Sequence, residues 1–307
     1  MLRGGIFSAV AALILCGCAT TETPKAGTPP VAPQATAHST SAEPTAVAGN
    51  RKHAGTGPVT SDPDLGWNPV LIEQGVGLSS VDCRLPAWQN TPAGAEAYYR
   101  AAIGCHDAAW APTLAHFKVA MASPALWAGA EVADYHGACA STGSNREAFY
   151  CPADQTIVMP FDTMAPVIGY GIGNVLAVLS HEYEHHVQQL TGIMPAFQAR
   201  ASALNWSGPQ VDLLNRQLEL QAWCFSGMFY GVNTGRGSIT RALADRAYIN
   251  NAGAGDRPGE RRWHGTNKNV ANWFGWGIHP SLDQDAAVAP SLYECNPWSA
   301  RDASWLE

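Results

Sequence analysis

Apolar positions along residues 66–307 recur mostly at helical spacing, and only two short runs read as strands. Thr91 to His116 is alanine-rich, with Tyr98, Tyr99, Ala102, Ile103 and Trp110 on one recurring face; it predicts a helix that Pro112 bends or breaks. Ala125 to Ala133 is a candidate strand. Gln155 to Met159 is a stronger one, β-branched in the middle and closed by Pro160. A long helix is expected from Ile172 to Leu190, stopped by Thr191-Gly192. Its first half, Val175 to Leu179, is almost wholly apolar and so belongs in a core. Another helix is expected to start near Ser207-Gly208-Pro209, with Ser207 as cap and Pro209 in the first turn, and to run through Leu213, Leu214, Leu218 and Leu220 toward Tyr230. Shorter helices are expected over Ser238 to Asn251 and Gly265 to Trp276. No internal repeat is visible. The pattern predicts an α+β fold, helix-rich with one small sheet.

Ahead of residue 66 the pattern changes. Arg3 precedes an apolar run from Ile6 to Leu15. That run is too short to cross a bilayer, which takes roughly 20 residues, and it reads as the core of a signal peptide spanning residues 1–18. It ends in Leu15-Cys16-Gly17-Cys18, which resembles a bacterial lipobox. The resemblance implies cleavage before Cys18, lipid on Cys18, and a protein anchored to the membrane of the cell envelope on its extracytoplasmic side. An ordinary cleaved signal, giving a secreted protein, is the alternative; both export the chain. Residues 19–65 are rich in Ala, Thr and Pro and hold no aromatic residue before Trp67. Such a segment buries too little apolar surface to offset its ordering entropy, and a disordered tether is expected. Residues 66–307 are left as one domain.

Composition narrows the classes. The net charge of −7 and the pI near 5.8 exclude a nucleic-acid-binding footprint. With 46% hydrophobic and 14% charged residues the chain can build a sizeable core, and its 11 Trp supply aromatic anchors. Besides Cys16 and Cys18 there are six cysteines: Cys83, Cys105, Cys139, Cys151, Cys224 and Cys295. An even number in an exported domain argues for disulfides. Sequence order suggests Cys83–Cys105, Cys139–Cys151 and Cys224–Cys295. The domain has no C-x-x-C pair, which argues against a cysteine zinc cluster.

The chemistry concentrates in His181-Glu182-Tyr183-Glu184-His185, at the point where the buried half of the long helix ends. Residues four apart on a helix share a face, so the two imidazoles can reach one ion. Glu182 is turned by about 100° from His181, where a carboxylate can take the proton of a metal-activated water. His186, Gln188 and Gln189 extend the polar cluster. A zinc site needs a third protein ligand and an open fourth position. The chain continues from His185 as H-V-Q-Q-L-T-G, with no third histidine at close spacing. A carboxylate from a later helix is the remaining choice, and Glu219, inside Arg216 to Ala222, is the candidate. From spacing alone, a surface carboxylate is an equal reading of Glu219.

Four separated pieces together resemble the bacterial neutral zinc metallopeptidases, zincin-type enzymes with a carboxylate third ligand: Y-C-P-A-D-Q-T-I (150–157), H-E-Y-E-H-H-V-Q (181–188), E-L-Q-A-W-C-F-S-G (219–227) and H-G-T-N-K-N-V-A-N-W-F (264–274). The resemblance covers residues 80–300. It implies His181, His185 and Glu219 as ligands of a Zn2+ cofactor and Glu182 as general base. It also implies a zincin-like fold and a peptide or protein substrate lying along an edge strand. Two positions depart from the pattern: Glu184 stands where the family has Gly, and Trp223 where it has Asp. An Asp at 223 would accept a hydrogen bond from a ligand imidazole, and an indole, which only donates, cannot replace it. The family's H-G-T/S segment places His264 as a candidate donor to the oxyanion, beside the plainer reading of a structural histidine. Asp256 can cap a turn or support the site, and reads chiefly as a turn residue. His106, His116, His136 and His279 have no partner motif and read as structural.

Three functions compete at this point. One is zinc-dependent peptide hydrolysis. The second is a zinc-binding surface lipoprotein, catalytically impaired through Trp223, that binds a partner. The third is a metal-free structural protein, which requires His181 and His185 to point apart or into the core.

Overall fold

A computed structural model describes residues 62–143, 148–259, 261–278, 291–300 and 302–307. The signal peptide, Cys18, nearly all of the expected tether and His279 lie outside these residues. The fold is helix-rich with one three-stranded sheet, as the periodicity predicts. The principal helices are α1 (Pro92–His116), α2 (Ile172–Leu190), α3 (Ile193–Ala203), α4 (Pro209–Asn233), α5 (Arg241–Asn251) and α6 (Asn267–Ile278). The strands are β1 (Ala125–Trp127), β2 (Phe149–Cys151) and β3 (Thr156–Val158). No described helix is long and apolar enough to cross a membrane.

Helix α1 starts at a Thr91 cap, whose side chain accepts from Gly94 N. It runs through Pro112 rather than breaking there. Pro112 sits one turn from the helix end, so its missing N–H removes only one bond of the ladder. Helix α4 is capped by Gly208 in a left-handed conformation (φ +91°), not by Ser207, whose hydroxyl turns back to Leu204 O. Pro209 does occupy the first turn. Helix α3 was not expected. Gly192, at φ +82°, ends α2 and caps α3 directly, so the chain turns a corner without an intervening loop.

The sheet order is β1-β3-β2, with β1 parallel and β2 antiparallel to β3. Strand β1 is shorter than Ala125 to Ala133. After Trp127 the backbone leaves the ladder, and the carbonyls of Gly129 and Ala130 accept from Phe161 N (3.0 Å) and Asp162 N (2.9 Å). The Cys139–Cys151 disulfide holds the segment entering β2.

The core sits where α2, α4 and α6 meet. Gly227 and Gly231 of α4 and Gly277 of α6 allow backbone-to-backbone contact: a methyl group at Gly227 would collide with Phe274 O, and one at Gly277 with Cys224 O. The Ser226 hydroxyl donates to Ser180 Oγ across α2 and α4 at 2.8 Å, fully buried. The Cys224–Cys295 disulfide ties the C-terminal segment to α4. Cys83 and Cys105 differ from expectation: both are buried free thiols in side-chain hydrogen-bond contact, so the segment at Cys83 and helix α1 bring the sulfurs together without joining them. Asp62 and Leu65, assigned to the end of the tether, pack on the fold. Leu65 is buried, and Asp62 binds Arg200 of α3 through both carboxylate oxygens at 2.9 and 3.0 Å.

Candidate metal centre

The apolar start of α2 is driven into the core by Val175, Leu176, Ala177 and Leu179, all fully buried. That burial fixes the rotation of the helix and aims His181 and His185 together at α4. Their Nε2 atoms lie 3.2 Å apart. Glu219, ten residues along α4, brings Oε2 to 3.0 Å from His181 Nε2 and 3.5 Å from His185 Nε2. Donor atoms at zinc–nitrogen and zinc–oxygen distances from a tetrahedral ion stand about 3.3–3.4 Å from one another. The three observed separations bracket that value, so the donor set fits zinc in type and in spacing. Among the described residues this is the group of His, Cys, Asp and Glu side chains that converges in this way. The rings do not point apart: both converge on Glu219, which speaks against the metal-free structural reading.

Electrostatics agree. Burial opposes the charge on Glu219, yet His185 and His181 hold its carboxyl well below the usual range. Burial likewise opposes an imidazolium at His185, yet Glu219 and Glu182 outweigh it and raise its pKa to about 9. The carboxylates thus favour positive charge between the rings. Glu182 is 8% exposed, at the edge of the cluster, and has no hydrogen-bond partner among the described contacts.

The two rings are held differently. His185 Nδ1 meets Gln188 Oε1 at 2.8 Å. His181 Nδ1 is buried without a partner among the described residues, and Trp223 stacks on the ring at 4.0 Å between centroids, with planes 23° apart. Trp223 therefore fills the place of a supporting carboxylate with a flat apolar contact. His186 is spent on scaffolding: Nε2 donates to Ala122 O (2.7 Å), so Nδ1 accepts from the Tyr150 hydroxyl (3.1 Å), fastening α2 to the sheet. Glu184 lies on the far side of α2, fully buried, accepting from Trp110 Nε1 at 3.3 Å, with His106 Nδ1 at 3.4 Å. Burial pushes its carboxyl well above the usual range, with the Trp110 bond and His185 opposing that rise.

His264 lies in the turn before α6. Asp256, its side chain 2% exposed, accepts from His264 N (3.0 Å) and Gly265 N (2.9 Å) and pairs with His264 Nδ1 (2.9 Å). Asp256 thus joins its two readings, since one carboxylate both shapes the turn and orients the ring. Burial lowers the pKa of His264, but Glu219 and then Asp256 outweigh it, and the net shift is upward. Arg216, three residues before Glu219, donates to Arg262 O (2.6 Å) and Leu306 O (2.7 Å), and Asn215 donates to Trp263 O. The helix that carries Glu219 therefore also docks the His264 turn. Spacing could not show this, because Asp256, Asn215 and Arg216 act through backbone carbonyls and amides distant in sequence.

Residues 89–281 match the model of the family described as "Putative neutral zinc metallopeptidase". The uncharacterized protein YpfJ of Escherichia coli K12 is 37% identical over 98 residues, 30% of this chain and 32% of that protein. The uncharacterized protein Rv2575 of Mycobacterium tuberculosis is 32% identical over 96 residues, 30% of each chain. The matched stretch thus spans about a third of these relatives' length. No solved structure matches.

Proposed function

The chain belongs to this neutral zinc metallopeptidase family, and on that premise we propose that it hydrolyses internal peptide bonds with Glu182 as general base. The observation that carries the proposal is the convergence of His181 Nε2, His185 Nε2 and Glu219 Oε2 within 3.0 to 3.5 Å of one another. Those three side chains would hold the zinc, which when bound supplies Lewis acidity toward water and the scissile carbonyl.

The remaining work falls to the chain's own groups. A Glu182 carboxylate oxygen takes the proton of the attacking water and returns it to the nitrogen of the departing amine. Asp256 accepts from His264 Nδ1 and, with Glu219, favours the imidazolium, whose Nε2–H donates to the carbonyl oxygen as it gains charge. The nearly buried walls around His181, Glu182 and His185 keep bulk water away from that charge. Export and lipid anchoring through Cys18 belong to the same proposal; they are supported by the Leu15-Cys16-Gly17-Cys18 segment and by two disulfides.

Glu182→Gln should keep about one zinc per chain while lowering cleavage of a broad peptide library by about 10²–10⁴-fold. Unchanged cleavage in Glu182→Gln would remove the general base. A second reading, a zinc-binding protein that no longer cuts, is favoured by the unpartnered His181 Nδ1 under Trp223. Its signature is one zinc per chain with no library peptide cleaved by the unmodified protein.

A further inference from the structure

The chain of buried amides behind His185 begins at a group of fixed polarity. Cys295 O can only accept, so Gln221 donates to it through Nε2, at 3.0 Å. The other end of that amide, Gln221 Oε1, must then accept, and it does so from Gln188 Nε2 at 3.0 Å. Gln188 Nε2 also donates to Leu218 O at 2.8 Å. Both protons of that nitrogen are therefore used, and Gln188 Oε1 faces His185 Nδ1 as an acceptor at 2.8 Å. An acceptor there requires the ring proton on Nδ1. In the neutral ring that a metal requires, His185 Nε2 is left with its lone pair directed at His181 and Glu219. Each amide orientation follows from its neighbour, so the tautomer of one ligand is set by a peptide carbonyl two side chains away.

The anchor is covalent. Cys295 is bonded to Cys224, one turn after Gln221 on α4, and Gln188, Gln221 and Cys295 are all fully buried. Helix α4 thus presents Glu219 to the metal centre, Gln221 to the amide chain and Cys224 to the disulfide. His181 has no comparable support, so the orientation of the histidine pair rests on His185.

We propose that Gln188 and Gln221 are positioning residues for the metal centre: a buried amide chain, anchored on the disulfide-bonded C-terminal segment, that fixes His185 as the Nδ1–H tautomer with Nε2 free to coordinate. The inference rests on the metal-site reading given above. Zinc affinity of the full chain, measured by competition with a chromophoric chelator, separates the two. Wild-type protein that takes up no zinc overturns both. Given wild-type binding, Gln188→Met should weaken zinc by about 10–100-fold and Gln221→Met by less. The double variant should bind no more weakly than Gln188→Met alone, because both residues belong to one chain. Unchanged affinity in Gln188→Met, or losses that simply add, overturns the amide chain alone. Proton NMR of the zinc-loaded wild type gives a check independent of the variants' folding. A downfield His185 Nδ1 proton is expected, and its absence overturns the inference.

Discussion

Trp223 covers one face of His181 and gives its Nδ1 nothing to donate to. A carboxylate at that position would accept from the ring and raise its basicity as a ligand. Trp223→Asp is therefore expected to tighten zinc about tenfold, on the scale of such supporting partners. Trp223→Phe, which keeps a stacked ring, should leave affinity nearly unchanged. Chelator competition on the three proteins checks both; an Asp variant that binds more weakly would show that stacking, not acceptance, is what His181 needs. At this scale much of the centre was legible. The i, i+4 histidines and the acid beside the first were visible as one helical face, because their relation is local. Glu219 was visible only as a candidate, since spacing does not say which face of α4 meets α2. The fates of Gln188 and Gln221 were not legible, and those of Trp223 and Asp256 only in part. Each depends on a partner supplied by tertiary packing: a ring face, a turn, a carbonyl.

The crossing of α4 and α6 sets where Glu219 stands, and three glycines set the crossing. Gly227, Gly231 and Gly277 face the backbone of the opposite helix, where a side chain has no room. Gly227→Ala and Gly277→Ala should each destabilise the protein by about 1–3 kcal/mol as the helices separate. Denaturant unfolding measures that loss, and wild-type stability in both variants would mean that the helices slide apart at little cost. The long helices were legible to within a few residues because their apolar stripes are long. Helix α3 was not, since its signal lies in Gly192, whose left-handed φ both ends one helix and begins the next. Strands of three residues are too short to show a period, and β2 escaped for that reason.

The molecule is closed by contacts remote in sequence: the Cys224–Cys295 disulfide, and the Asp62–Arg200 pair that clips residue 62 to α3. Burial raises the pKa of Asp62, but its bonds to Arg200 and backbone amides outweigh that, and the net shift is downward from 3.8. A depressed folded pKa means that the pair's stabilisation is complete above about pH 4 and is lost as the pH falls through the lower folded value. The Arg200 side chain is 39% exposed, so solvent screening limits the effect to about 0.5–1 kcal/mol. Asp62→Asn should unfold at a lower temperature than wild type at pH 7 and at the same temperature near pH 2. An equal difference at both pH values would show that packing, not charge, holds the segment.

The proposed chemistry needs two imidazoles and one carboxylate closing on a single zinc. Zinc K-edge X-ray absorption of the loaded protein tests this most directly. It should show two imidazole nitrogens and a carboxylate oxygen at about 2.0–2.2 Å, with a further light atom and no sulfur. A sulfur shell near 2.3 Å, or a zinc surrounded by solvent oxygens alone, would contradict it.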